Sequence, residues 1–377
     1  MSQTNARPSR GLPNAVPFFA AYLLVPLMVW TGLKGGLAPL LVPLTAWYGV
    51  SLADRVLGVQ PLNADPQTPT RALTAHRLAT LLWLPTQTAL LIWALAYTTI
   101  TPSLEIWEKL ALFFAMGVLS SAIGIVFAHE LLHQPTKLER WSADLLLATA
   151  LYSHFRSEHL LVHHVHVGTP RDTVTAPYGE GFWRFLIRVV PAGLRSAWRA
   201  ERRRMHRSDR QTLDAENPFW RYWALQGIFL FAAMVIGGWQ GLALFIFQAL
   251  VAIWHLELIN YIEHYGLTRK KLSDGSYERQ GAHHSWDSAQ RASNWFLINL
   301  PRHADHHMHP SRRYPLLQHH GETHAPQLPY GYGVMGFVAL FPGFWRRRMN
   351  PRVARWRAKY YPEIADWRPY NRRQFRS

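Results

Sequence analysis

Nine histidines in this chain have the type and spacing to bind metal. Eight form the clusters His129-Glu-Leu-Leu-His133, Glu158-His159-Leu-Leu-Val-His163-His164 and Arg302-His303-Ala-Asp-His306-His307, and His264 stands alone after Glu263. Imidazole is the commonest protein metal ligand, and one ion rarely takes more than about four. Nine therefore suggest two ions. Neutral imidazoles hold Fe(II) without charge compensation, so two such ions keep a large positive charge. Nearby carboxylates would offset it and orient the rings by accepting the second ring N–H. Glu130, Glu158, Glu263 and Asp305 each adjoin a candidate ligand and are the expected carboxylates. Two nitrogen-ligated ions beside a lipid-facing cavity point to oxygen chemistry on an apolar substrate.

The pairs His129/His133, His159/His163 and His303/His307 are spaced i, i+4, which places both rings on one face of a helix. His306 can reach the same site as His303. His164 points about 100° away from His163, so adjacent histidines can serve two ions. Pro301 suits the first turn of a short helix carrying the last cluster.

The clusters sit near the ends of apolar, membrane-length segments. Of 377 residues, 49% are hydrophobic and only 17% charged, against about a quarter charged in soluble domains. Six segments reach the roughly 20 residues that a bilayer requires: about 15–33, 36–52, 78–100, 106–128, 219–237 and 241–262. Short turns at Leu33-Lys34-Gly35-Gly36 and Gly237-Gly238-Trp239-Gln240 make helical hairpins of the first and last pairs. With the N-terminus in the cytoplasm, the external loops carry only Lys34 and Lys109 of the 40 Lys and Arg. The positive-inside rule thus orients the chain and puts every histidine cluster on the cytoplasmic side. It also accounts for the net charge of +17 better than nucleic-acid binding does. The expected fold is all-α and integral to the membrane. Six transmembrane helices carry a cytoplasmic helical cap with a histidine-rich two-metal site. Residues 1–14 are read as a cytoplasmic tail, not a cleavable signal. Residues 15–345 form the membrane domain with catalytic insertions at 129–218 and 263–345, and 346–377 a basic cytoplasmic tail. Within the first insertion, Trp141–Tyr152 reads as a short helix and 181–204 as an interfacial one, lying on anionic lipid or docking an acidic partner.

The chain has no cysteine. That excludes disulfides, thiolate-ligated haem and iron–sulfur clusters, so electrons come from a separate partner or a non-thiolate cofactor. His129-Glu130-Leu131-Leu132-His133 also satisfies H-E-x-x-H, the zinc-protease signature, but one zinc leaves most of the nine histidines idle. A metal transporter would favour ionisable residues at mid-membrane depth, not at the helix ends. His255, about half a turn off the His264 face, reads as a packing residue. His283, His284, His309, His319, His320 and His324 read as loop histidines, some of which could help orient the site.

HELLH, EHLLVHH, NYIEHYGL and LPRHADHHMHP together resemble the histidine boxes of the membrane di-iron family, which includes fatty-acid desaturases and alkane monooxygenases. NYIEHYGL at 260–267, HHSW at 283–286, GTPRD at 168–172 and YGEGFWRF at 178–185 are most similar to the bacterial alkane 1-monooxygenase branch. The likeness runs from about residue 40 to residue 345. It implies two non-haem irons held by His129, His133, His159, His163, His164, His264, His303, His306 and His307, with O2 as co-substrate. It also implies terminal hydroxylation of alkanes or similar lipophilic molecules, in the bacterial inner membrane with both termini and the site cytoplasmic. The implied electron donor is a separate rubredoxin, reduced by a rubredoxin reductase. Trp47 falls where the family has a bulky residue limiting substrate chain length; an interfacial tryptophan is the plain alternative. Leu132, Gln134, Leu160, Leu161, Val162 and Pro301 depart from the usual boxes, as do His255 and Glu257 on the last span. These departures leave a different lipid, terpene or alkylaromatic as a second candidate substrate class.

Overall fold

The computed structural model describes residues 14–371. Among these, regular structure is helical, with isolated β-bridges but no strand. The N-terminal tail through residue 13 and residues 372–377 of the basic tail lie outside the described residues.

Four helices are long and apolar enough to cross a membrane: Val16–Lys34, Thr70–Ile100, Ile106–Leu132 and Pro218–His264. The fourth folds back on itself. Gly238 takes φ 57° and ψ −153°, a conformation open to glycine and costly for a residue with a Cβ. The rings of Phe229 and Phe245 then stack 6.4 Å apart, whereas on one straight helix they would stand about 24 Å apart. This reversal is the hairpin expected between 219–237 and 241–262. The expected segment 36–52 is a run of helical turns over 38–57. A π turn at Thr45–Gly49 interrupts it, and it is not one of the four long apolar helices.

Ile106–Leu132 is the central helix. Its most apolar stretch is 89% buried, as expected of a helix that is hydrophobic on all sides. Thr70–Ile100 and Pro218–His264 pack against it. Polar groups inside this packing are satisfied in pairs, because an unpaired one would cost about 1–3 kcal/mol. Gln87 accepts from Trp83 Nε1 at 2.8 Å and donates to Thr149 Oγ1 at 2.7 Å. Gln248 accepts from Ser120 Oγ at 3.1 Å and donates to Thr149 O at 2.7 Å. Exposed tryptophans gather near the two ends of the long helices: Trp30, Trp107 and Trp239 at one, and Trp141, Trp183, Trp220 and Trp223 at the other. Amphipathic rings in two such groups suit the two membrane–water interfaces.

Shorter helices cap the second end. Lys137–Thr149 starts four residues before the expected Trp141–Tyr152 helix, because Thr136 accepts from Glu139 N and caps it. Phe182–Arg207 buries Phe182, Phe185, Val189 and Ala197 on one face and presents arginines on the other. Pro342–Tyr360 buries Trp345, Met349, Val353 and Trp356, with Trp345 packed on Tyr261 and Tyr265. It thereby locks the end of the Pro218–His264 helix.

Candidate metal centre

His129 sits in the last turn of the central helix and His133 just past it; His264 ends the Pro218–His264 helix. His303, His306 and His307 lie on the short helix His303–Met308. Arg302 anchors that helix. Its buried guanidinium donates to Asn63 Oδ1 and to the carbonyls of Leu317, Gln60 and Leu62. Asp287 Oδ1 accepts from Ala304 N at 2.7 Å, capping the first turn.

The rings converge through Nε2 into two groups. The first holds His129, His133, His159, His164 and His306; the second holds His163, His264, His303 and His307. In the first, Nε2 atoms lie 3.0 Å apart for His133/His159, 2.9 Å for His159/His164 and 3.1 Å for His164/His306. In the second, the spacings are 3.2 Å for His163/His307, 3.0 Å for His264/His303 and 3.0 Å for His303/His307. Ligands about 2.1 Å from one ion and at right angles to each other would be about 3 Å apart, so both groups fit a metal. The spacing is hard to sustain by hydrogen bonds alone, because neutral rings converging through one type of nitrogen leave lone pairs facing one another.

His159 and His163 do not share a face as the i, i+4 spacing predicts. His159–His163 forms a π turn, whose wider winding pairs residues five apart. His159 therefore joins His164, and His163 turns to the second group. The two groups are in contact, with the His164 and His307 rings 4.7 Å apart.

Of the four expected carboxylates, Glu263 alone reaches the rings. It accepts from Tyr332 OH at 2.8 Å and lies 3.4 Å from His303 Nε2, on the metal side of that ring and not at its second nitrogen. Glu130 accepts from Gln134, and Glu158 from Thr173. Asp305 is taken by His309, Arg312, His320 and the Gln318 N–H. The reason is direction: on a helix the side chain beside a ligand projects about 100° away from it. The carboxylate that meets a second ring nitrogen is Asp172, whose Oδ2 lies 3.1 Å from His163 Nδ1. The turn 172–175 fixes it through Thr175 N and Oγ1 on the same oxygen and Val174 N on the other. Its only sequence signal was its place at the end of GTPRD.

Charge agrees with a metal-ready site. Burial, then the neighbouring Arg156 and His163, holds the His133 pKa down at about 3. Burial and adjacent rings likewise push His159, His164, His303, His306 and His307 far below the usual histidine range, keeping them neutral as ligation requires. Burial opposes ionisation of Asp172, but His163 and Thr175 more than offset it and hold its pKa at about 2. Burial pushes Glu158 well up, reinforced by Asp172 and Glu257.

An apolar cavity of about 80 Å³ leads to the centre. Its lining includes His129, His159, His163 and His303 as well as Trp47, Ser121 and His255. His255 packs in the bundle as expected, its ring stacked 5.8 Å from that of Trp47, and it is hydrogen-bonded there as well: Trp47 Nε1 donates to its Nε2 at 2.9 Å, and its Nδ1 lies 3.0 Å from Ser121 Oγ. Trp47 and Ser121 each stand in a π turn, Thr45–Gly49 and Ser120–Ile125.

The fatty acid desaturase family profile matches residues 106–339. Alkane 1-monooxygenase 2 of Pseudomonas aeruginosa is 36% identical over 313 residues, 81% of either chain. Alkane 1-monooxygenase 1 of the same organism is 37% identical over 310 residues, 80% of this chain and 79% of that protein. Alkane 1-monooxygenase 2 of Alcanivorax borkumensis is 38% identical over 245 residues, 65% of this chain and 64% of that protein. With that identity over that much of its length, the chain belongs to the alkane 1-monooxygenase family and carries the fatty acid desaturase domain.

Proposed function

We propose that this protein is a membrane-bound non-haem di-iron monooxygenase that hydroxylates the terminal methyl of alkanes or similar lipophilic chains. The observation that carries this reading is the cavity shared by Trp47 and four of the candidate ligands. An unactivated methyl offers no polar handle, so selectivity has to come from an apolar channel that delivers one chain end to the metal site. In the overall reaction R–CH3, O2, two electrons and two protons give R–CH2OH and water. When bound, the two irons supply the O2 activation that this chemistry needs.

The chain's own residues do the rest. All nine histidines would hold the irons, five on one and four on the other. Asp172 sets the His163 tautomer, since a carboxylate at Nδ1 keeps the proton there and leaves Nε2 for metal. Trp47 closes the cavity away from the rings and limits the length of chain admitted. Leu297, Leu300, Ile125 and Val126 line the cavity as well and exclude water from the reacting end.

Counting both arms of the Gly238 hairpin and the turns over 38–57 gives six passages. With the basic residues gathered at the histidine end, this supports a cytoplasmic site and cytoplasmic termini in an inner membrane. The division into a membrane domain at 15–345, with catalytic insertions, and a basic tail follows from it. A separate rubredoxin, itself reduced by a rubredoxin reductase, is the proposed donor. The absence of cysteine from the chain supports a separate donor.

The test is to incubate membranes containing the protein with rubredoxin, its reductase and a mixed panel of alkanes, fatty acids and terpenes, and to identify the products. Primary alcohols from alkanes support the reading. Products only from the other classes would move the protein to a different lipid substrate.

A further inference from the structure

The cavity lining is mostly apolar, yet it includes Ser121 and His255. They continue a directed chain of hydrogen bonds that begins at Trp47. The indole Nε1 can only donate, so His255 Nε2 accepts at 2.9 Å and the ring proton sits on Nδ1. That proton points at Ser121 Oγ, 3.0 Å away. Ser121 therefore accepts from His255 and keeps its own hydroxyl proton to give. Other hydroxyls on the long helices give theirs to a carbonyl of the preceding turn, as Thr31, Thr86, Thr98 and Thr99 do. Neighbouring Ser120 gives its own to Gln248. Among the described residues, the buried Ser121 hydroxyl has His255 as its one hydrogen-bond partner. The chain of donors thus ends on a proton without an acceptor, in the wall of the substrate cavity.

We propose that Ser121 Oγ is a donor site for substrate, and that the cavity takes chains carrying an accepting oxygen, such as a ketone or ester carbonyl, at the end remote from the methyl that reacts. This rests on the monooxygenase reading given above and narrows its substrate class. A buried donor is costly to leave unpaired, and an alkane has nothing to offer it. Donors in series also polarise one another, which strengthens the last bond. The position suits the remote end of a chain. Ser121 lies eight residues before His129 on one helix, and His255 nine before His264 on another, so both stand on the order of 10 Å from those ligands along the helix axes. A chain held there by its oxygen presents its other end to the histidines. One directed bond then chooses between two unlike ends, which shape alone does poorly. The reaction at the methyl keeps the balance given above and yields a hydroxy ketone or hydroxy ester and water. Water is the rival occupant. It is disfavoured because a cavity water needs about two to four polar partners, and the Trp47 N–H and both His255 nitrogens are already engaged.

The experiment uses the full-length, iron-loaded protein in lipid nanodiscs, with n-decane and the linear methyl ketone of equal carbon count as probes. Infrared difference spectra with an isotope-labelled carbonyl read binding without turnover. The wild type should show a bound carbonyl band lowered from its frequency in lipid alone, and S121A should lose that band. In competition, S121A should lower the ketone-to-decane ratio of kcat/KM by roughly three- to tenfold, the worth of one neutral hydrogen bond. Hydroxylation of the ketone should also spread from the remote methyl towards the carbonyl end. A wild-type carbonyl band at its lipid frequency would overturn the proposal and leave the proton to water. So would an S121A variant in which decane and ketone change together at a constant ratio, since release of His255 and Trp47 alone would do that. Absence of turnover with either probe would remove the monooxygenase reading, while the carbonyl band still decides whether Ser121 binds the oxygen.

Discussion

Trp47 Nε1 donates to His255 Nε2 at 2.9 Å across the cavity wall. An indole nitrogen can only donate, so this bond makes His255 Nε2 an acceptor and places the ring proton on Nδ1, facing Ser121 Oγ. Three side chains from three helical segments thus hold one another, and all three line the cavity.

Removing the acceptor is expected to free Trp47. In H255A the indole N–H would be buried unpaired at a cost of about 1–3 kcal/mol, so the ring should leave its present rotamer and the admitted chain length should rise. H255Q, which retains an acceptor, should shift the profile less. Product distributions across an alkane chain-length series check this. The same distribution in H255A as in wild type would show that the bond does not position Trp47.

A smaller residue at Trp47 tests the closure itself. W47S should extend the product profile towards longer chains while leaving turnover of the preferred chain within a few-fold, because Trp47 lines the cavity but belongs to neither histidine group. Competition between a short and a long alkane measures it. A fixed ratio of products would assign Trp47 to packing.

D172N should weaken metal binding at the His163 group by roughly 10–100-fold, the usual effect of losing a carboxylate that orients a ligand. Metal retained after graded chelator treatment is the readout, and the expected loss is of one ion before the other. E130Q, whose carboxylate bonds Gln134 and no candidate ligand, should hold both ions like wild type.

Metal analysis should find about two irons per chain, and H303A should lose at least the ion of its own group. A single zinc would return the protein to the protease alternative.

The metal-free protein should lose stability in acid. Histidine in an unfolded chain has a pKa near 6.5, whereas burial and neighbouring charge hold His133 at about 3 and His159, His164, His306 and His307 far below their usual range. Below about pH 6.5 the unfolded chain therefore binds more protons than the folded one, and stability falls as pH falls. It is fully present above that value, and the loss continues down through the folded pKa values. Thermal melts of the chelated protein from about pH 8 to about pH 5 should show a fall steeper than one proton per pH unit. A flat profile would mean that these rings are not buried neutral.

Much of this was legible in the residues. Eight histidines in three clusters and His264 alone, beside apolar segments of bilayer length, already pointed to a metal site. Ligand chemistry and hydrophobic length are local properties of a chain. The hairpin at Gly237-Gly238 was equally local, since few residues besides glycine adopt that backbone. The sorting of ligands was not. Helical spacing paired His159 with His163, but a π turn pairs His159 with His164 and sends His163 to the other group. Such a turn depends on how the surrounding packing is satisfied, not on the spacing of the residues. Nor could adjacency identify the orienting carboxylate. Glu130, Glu158 and Asp305 neighbour ligands in sequence and point elsewhere, while Asp172 reaches His163 only because a loop folds back over it. The bond between Trp47 and His255, 208 positions apart, exists only once the helices are packed. Chemistry was thus written in the residue types, and the sorting of the rings into two groups beside one cavity was decided by the tertiary structure.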